Sequence, residues 1–212
     1  MTEIKICCIS SHEEARLALD AGADILGLVS AMPSGPGVID EALIASIAAA
    51  VRPAQTFLLT SLCDADAIIE QHARCGTTGI QLCDALPEGT LAKLRKTGAR
   101  LVQVIHVTGE ASYDEALRAA QDADALLLDS GNPSLRVKEL GGTGRVHDWT
   151  ISRRICADAG VPVFLAGGLR PENVAEALQS VGASGVDICS GVRTGGKLDR
   201  EKLARFIAAA RA

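Results

Sequence analysis

The stretch Ala166-Gly167-Gly168-Leu169-Arg170-Pro171-Glu172-Asn173-Val174 decides how this chain is read. It follows the apolar run Val161-Pro162-Val163-Phe164-Leu165, which reads as a buried strand. It precedes a segment of helical period, Val174 to Val181. A strand that ends in Gly-Gly and opens a helix leaves bare backbone N–H groups at a positive helix end, which is a seat for an anion such as phosphate. A second stretch of the same kind follows, Val186-Asp187-Ile188-Cys189-Ser190-Gly191-Val192, with Gly195-Gly196 beyond.

Outward from this pair, the same unit recurs along the chain. A short apolar run leads into a polar turn and then an Ala/Leu-rich segment of helical period. Strands are predicted at Ile4–Ile9, Ile25–Val29, Thr56–Thr60, Gly79–Cys83, Leu101–Val107, Ala125–Asp129, Val163–Ala166 and Val186–Cys189. Helices are predicted at His12–Ala21, Asp40–Val51, Asp64–Cys75, Pro87–Thr97, Tyr113–Gln121, Asp148–Ala159, Pro171–Val181 and Asp199–Ala210. Ser11, Asp148 and Pro171 are helix-start signals, and Gly22, Gly76, Gly98, Gly160 and Gly182 follow helix ends as C-caps do. Recurrence at one βα unit is an architectural signal. Eight units make an α/β protein of the (β/α)8 TIM-barrel class, with residues 1–212 as one domain. An open doubly wound sheet is the alternative, and it usually needs fewer units. In a barrel, the two glycine-bearing strand ends become the turns after strands 7 and 8, the usual place for a substrate phosphate.

Composition narrows the function. Apolar residues make up 48% of the chain and charged residues 22%, with a net charge of −5, so a large core and an ordinary acidic surface are expected. Basic residues are scattered and aromatics stand at 2%, which argues against a nucleic-acid partner. No apolar run reaches the ~18 residues of a membrane span, and the N-terminus has no signal-peptide layout. Seven cysteines occur without a Cys-x-x-Cys pair or metal-like spacing to histidine, so reduced thiols in a cytoplasmic protein and no metal are expected.

Polar residues within apolar strands point to chemistry, because barrel enzymes place catalytic groups at C-terminal strand ends. Alternation puts Lys5 and Cys7 on one face of the first strand. A lysine inside a barrel needs a carboxylate, and Asp187 on the neighbouring eighth strand is the natural partner. That turns Cys7 inward near the mouth, where it is either inert core filler or, with Lys5 and the anion seat close by, a thiolate able to act as a general base. Cys8 takes that place if the strand is turned by one residue. Asp129 closes the run Ala125-Leu126-Leu127-Leu128, where a carboxylate is either a helix or loop cap or a catalytic acid; burial favours the protonated form that a general acid requires. Strands 1 and 6 set Cys7 and Asp129 across the mouth from each other, an arrangement suited to proton-transfer isomerisation of a phosphorylated sugar. Gln81 is a polar interior candidate on strand 4. His12 and His72 fall in helices, His106 ends strand 5 within reach of a ligand, and His147 lies near a long connection. That connection, Ser130 to His147, is long for a compact domain and reads either as a lid over a ligand or as a flexible insertion.

These residues resemble a known family. The match runs in order along the whole chain through Lys5-Ile6-Cys7, Gly22-Ala23-Asp24-Ile25-Leu26-Gly27, Gln81-Leu82, Leu126-Leu127-Leu128-Asp129, Gly141-Gly142-Thr143-Gly144 with Asp148-Trp149, Leu165 to Val174, and Gly185-Val186-Asp187 with Ser190-Gly191-Val192. Together they are similar to the phosphoribosylanthranilate isomerases of tryptophan biosynthesis. The resemblance implies an Amadori rearrangement without metal or organic cofactor, with Cys7 as base and Asp129 as acid. It implies a phosphate held at Gly142, Gly168 and Gly191, with Thr143 and Ser190 beside them. Gly167 joins the seat through the strand-turn-helix reading above, and Lys5, Asp187 and Gln81 orient the site. The partner implied is a small phosphosugar, and the chain is expected as a monomer or homodimer.

Five positions depart from the family pattern. Cys8 stands where glycine usually follows the cysteine, and Cys83-Asp84 replaces histidine-glycine after strand 4. Pro36 falls where an arginine usually meets the anthranilate carboxylate, and Arg193 replaces a glutamate. The phosphate side and the acid–base pair match, whereas the aglycone side does not. Arg136, Arg145 or Arg193 would have to replace the missing cation. Two further readings follow: an isomerase for a phosphoribosylamine with another aglycone, and a non-catalytic binder of phosphorylated metabolites.

Overall fold

The computed structural model describes residues 1–132, 134–135, 138–140 and 147–212. Eight parallel strands, β1 (Glu3–Ile6), β2 (Ile25–Val29), β3 (Gln55–Thr60), β4 (Gly79–Leu82), β5 (Arg100–His106), β6 (Ala125–Asp129), β7 (Val163–Leu165) and β8 (Gly185–Ile188), form a closed barrel in chain order. Closure is made by β8 against β1, with Lys5 opposite Asp187. The helices between and after them are α1 (His12–Ala21), α2 (Glu41–Ala50), α3 (Ala65–Cys75), α4 (Thr90–Leu94), α5 (Ala111–Ala119), α6 (Trp149–Asp158), α7 (Val174–Val181) and α8 (Arg200–Arg211). A small hairpin, β9 (Arg193–Thr194) with β10 (Lys197–Leu198), sits between β8 and α8. The expected (β/α)8 barrel is therefore observed.

Two apolar layers hold it together, as a sheet buried on both faces requires. The outward side chains of the strands, such as Ile4, Ile6, Leu26 and Leu28, pack under the helices. The inward ones, such as Ile25, Phe57, Val102, Leu127 and Phe164, fill the barrel. Two glycines make room for the aromatic floor. A Cβ on Gly79 would lie 2.5 Å from the Phe57 ring, and one on Gly185 would lie 2.6 Å from the Phe164 ring. The Arg100 guanidinium covers both rings, 5.9 and 5.4 Å from their centroids, and is tied to Glu3.

Local signals set the helix ends. Ser11, Asp40, Asp64, Asp148 and Asp199 each accept a backbone N–H of the first turn, a cap worth about 1 kcal/mol. Gly22, Gly76, Gly98, Gly160 and Gly182 all adopt the left-handed conformation that ends a helix.

Some boundaries move. The first strand stops at Ile6 rather than Ile9, because Cys8 turns to φ 61 and breaks the extended path. The fourth helix is one turn, Thr90–Leu94, continued by a 3-10 turn at Arg95–Thr97. Its N-terminus lies at Gly89, which has no side chain to cap it. The seventh helix begins at Val174, not Pro171. The Asn173 side chain folds back, accepting from Arg170 N at 2.7 Å and donating to Gly168 O at 3.1 Å, so residues 171–173 form a turn.

Candidate active site

A cavity opens at the C-terminal ends of the strands and encloses about 690 Å3, its open mouth included. Cys7, Gln81, Asp129 and Asp187 project into it from β1, β4, β6 and β8 or the residues just beyond them.

Cys7 comes immediately after β1, and its N–H donates to Ile188 O at 2.8 Å, which fixes the backbone below the thiol. Lys5 lies one layer down, 1% exposed, with Nζ 2.8 Å from Asp187 Oδ1. Burial opposes the lysine's charge, but Asp187 outweighs it and holds the ammonium above its ordinary pKa. Gly27 on β2 makes this stacking possible, since a Cβ there would lie 2.9 Å from Lys5 Nζ and 3.1 Å from Cys7 Sγ. The predicted interior face of β1 is thus the observed one.

Cys8 also lines the cavity. Its Sγ donates to Cys7 Sγ at 3.8 Å and hydrogen-bonds Cys189. These bonds, with burial, push the Cys8 thiol well above the usual cysteine range. The same bond from Cys8, aided by the Arg193 guanidinium, lowers that of Cys189. Cys83 completes a ring of sulfur around the mouth, and its burial raises its pKa.

Asp129 ends β6, 7% exposed. Burial, with a lesser contribution from Asp187, raises its pKa. Ser130 opposes this by donating its N–H to Oδ1 at 2.7 Å. His106, beside Asp129 in the β5–β6 register, is buried with Nε2 3.0 Å from Cys83 O, and it does not line the cavity. His147 is tied to Ser152 Oγ at 2.7 Å. Gln81 has its Oε1 buried without a hydrogen-bond partner, facing a cavity that can supply one.

The two glycines read as an anion seat take a backbone path suited to glycine. Gly167 and Gly168 are both left-handed, at φ 81 and 65, a backbone path open to glycine at little cost. They line the cavity together with Ser190, which opens a 3-10 turn, Ser190–Val192. Gly191 stands behind rather than in the lining, with the position of a Cβ only 2.2 Å from Leu169 O. The two loops interlock there. Gly142 and Thr143 lie outside the described residues, as do Arg136 and Arg145.

The aglycone side differs from expectation at one point. Arg193 does not reach into the cavity; its guanidinium is bound to Glu14 and to backbone carbonyls. Pro36 lines the mouth with Met32, Ser34 and Gly35, and Ser34 Oγ donates to Lys138 O at 2.5 Å, joining the loops after β2 and β6. Leu140, from the connection read as a lid, is buried against the cavity. Sequence reasoning missed Leu140, Cys189 and the turn-shaping Asn173. Only Asn173 carried a local signal, its spacing of three from Arg170.

The fold and the mouth define a (β/α)8-barrel of the kind that carries its chemistry at the C-terminal face. The sequence model of N-(5'phosphoribosyl)anthranilate (PRA) isomerase matches residues 4–209, and the chain belongs to that family. It is 34% identical to the N-(5'-phosphoribosyl)anthranilate isomerase of Haloarcula marismortui, over 98% of this chain and 95% of that protein. It is 37% identical to that of Acidithiobacillus ferrooxidans, over 100% and 98%. Among solved structures, the phosphoribosyl anthranilate isomerase of Thermotoga maritima superposes with a TM-score of 0.86 at 26% identity, covering 100% of this chain and 99% of that one.

Proposed function

We propose that this chain catalyses the Amadori rearrangement of N-(5-phosphoribosyl)anthranilate to its 1-deoxyribulose 5-phosphate derivative, with Cys7 as general base and Asp129 as general acid. Family membership supports the reaction. The observation that carries the roles is that a thiol and a raised-pKa carboxyl share one cavity with the Gly167–Gly168–Ser190 seat. With the phosphate held by backbone N–H groups, protonated Asp129 donates to the ring oxygen as the sugar opens. The resulting imine acidifies the C2′ proton, and Cys7 removes it to give the enolamine. Tautomerisation then yields the ketose, with no net gain or loss of atoms. Cys8 donates to the Cys7 sulfur and stays protonated, which supports Cys7 over Cys8 as the base.

Seven free cysteines fit a reducing compartment, and no described helix is long and apolar enough to cross a membrane. We infer a cytoplasmic enzyme with a small phosphosugar as its partner.

The test is consumption of phosphoribosylanthranilate, followed by loss of its fluorescence. Cys7→Ser and Asp129→Asn should each lower kcat by at least ~10²-fold. Wild-type protein that leaves the signal unchanged would overturn the reaction, and variants that keep their activity would overturn the roles. Pro36 in the mouth favours one second reading, a phosphoribosylamine with another aglycone. A panel of such amines, with higher kcat/KM on one lacking the carboxylate, would select it.

A further inference from the structure

The Cys7–Cys8 turn is held by a group outside the cavity lining. Arg193 Nη2 donates to Cys8 O at 2.6 Å and lies 3.4 Å from Cys7 O. Nη1 donates to Gly196 O at 2.9 Å and to Glu14 Oε1 at 2.7 Å, and Nη2 reaches Glu14 Oε2 at 3.1 Å. Glu14 is itself fixed, accepting from Leu198 N and Ser10 N at 3.0 Å each. Both side chains are nearly enclosed, 10% and 13% exposed. A planar guanidinium with several donors can satisfy two carbonyls and a carboxylate at once; a lysine ammonium cannot present that fork.

What the clamp holds is an unfavourable backbone. Cys8 is the one described residue other than glycine with positive φ, at 61. Its side chain is pressed against Gly37, where a Cβ would lie 2.4 Å from Cys8 Cβ. Left to itself, an L-residue at this position relaxes toward negative φ. The peptide that rotates then is the one next to Cys7, so the thiol swings with it.

We propose that Arg193, with Glu14 as its counter-ion, is a positioning residue that locks the Cys7–Cys8 turn so that the Cys7 thiol faces the reacting carbon. This rests on the base role given to Cys7. The clamp's side chain leaves the anion seat alone: the Arg193 guanidinium makes no hydrogen bond to Gly167, Gly168 or Ser190, and the backbone bond from Arg193 N–H to Ser190 O survives replacement of the side chain. Its loss therefore appears in kcat rather than KM.

The experiment compares Arg193→Lys and the pair Glu14→Gln/Arg193→Met, which strands no buried charge, each with and without Cys8→Gly. The pair should lower kcat at least about tenfold, as a misplaced catalytic group does, with KM within about threefold. With Cys8→Gly the same pair should cost clearly less, because glycine adopts positive φ without penalty. Arg193→Lys, which keeps the charge and loses the fork, should show the same split in smaller measure, and it serves if the pair variant does not fold. A rise in KM with kcat kept would make Arg193 a substrate-binding group and overturn the proposal. Equal kcat losses in the two backgrounds would overturn it as well. If Cys7→Ser keeps wild-type kcat, the base assignment fails separately. The clamp is then read from thermal melts, where equal losses of Tm in the two backgrounds count against it.

Discussion

The Lys5 ammonium and the Asp187 carboxylate meet at 2.8 Å across the seam where β8 closes on β1. The pair seals the barrel directly beneath the Cys7 thiol, with side chains 1% and 10% exposed. Removing one partner leaves the other charge buried and alone, which costs about 3–5 kcal/mol, whereas two apolar residues of similar volume can be neutral. Lys5→Met should therefore lower stability by about that amount, and Lys5→Met/Asp187→Leu should recover most of it. Urea unfolding of the three proteins checks this. A double variant as unstable as the single one would show that the cost is lost packing.

Asp129 should trade stability for function. Its folded pKa is raised, chiefly by burial. Below the ordinary carboxylate pKa of about 4, folded and unfolded chains both carry its proton, so it contributes nothing. As pH rises above that, the unfolded chain ionises freely while the folded one resists, and stability falls until pH passes the raised value. Asp129→Asn should thus raise Tm at about pH 8, and the gain should vanish near pH 4. The same ionisation removes the general acid, so wild-type kcat/KM should fall on the alkaline side. A Tm difference independent of pH would refute the assignment.

Gly191 is predicted to be a point of fit between the loops after β7 and β8, the proposed phosphate seat. A methyl group there would meet Leu169 O at 2.2 Å, a backbone atom that cannot step aside alone. Gly191→Ala should cost about 1–3 kcal/mol through overpacking. By parting the loops, it should also raise KM for the phosphorylated substrate about tenfold, the worth of one charge-assisted bond. Gly109→Ala is the control, since a Cβ there meets nothing within 4 Å. Similar KM values for both variants would show that the seat does not depend on this contact.

His147 should make the fold acid-sensitive. Burial lowers its pKa to about 4, while its ring is held by Ser152 Oγ. As pH falls below about 6.5, the unfolded chain takes up a proton that the folded chain refuses until about pH 4, so stability declines through that window. His147→Asn should flatten the decline by about one proton in urea titrations across the same range. An unchanged slope would mean that His147 is solvated in the native state.

Much of this was legible in the chain itself. The eight apolar runs, the aspartate caps and the C-cap glycines are local signals, and all eight units appear where periodicity puts them. Lys5 could be paired with Asp187 in advance because closure makes strands 1 and 8 neighbours and a buried ammonium must have an anion. The reach of Arg193 could not be read this way. Its position after strand 8 fits a group turned into the mouth, yet Glu14, 179 residues away in sequence, draws it behind the Cys7–Cys8 turn. The early end of β1 could not be read from Cys8 itself, a residue type that rarely takes positive φ; the only hint was that the resembled family usually has glycine there.

The sequence by itself determined the repeating unit and the class of fold, because both depend on side-chain chemistry and on neighbours within a turn or two. The tertiary structure alone decided that Cys7 and Cys8 both line the cavity, that Arg193 is drawn behind their turn, and how the loops after β7 and β8 lock together. Those outcomes arise from contacts between residues that meet only once the barrel has closed, where packing and ion pairing over long sequence separations outweigh local preference.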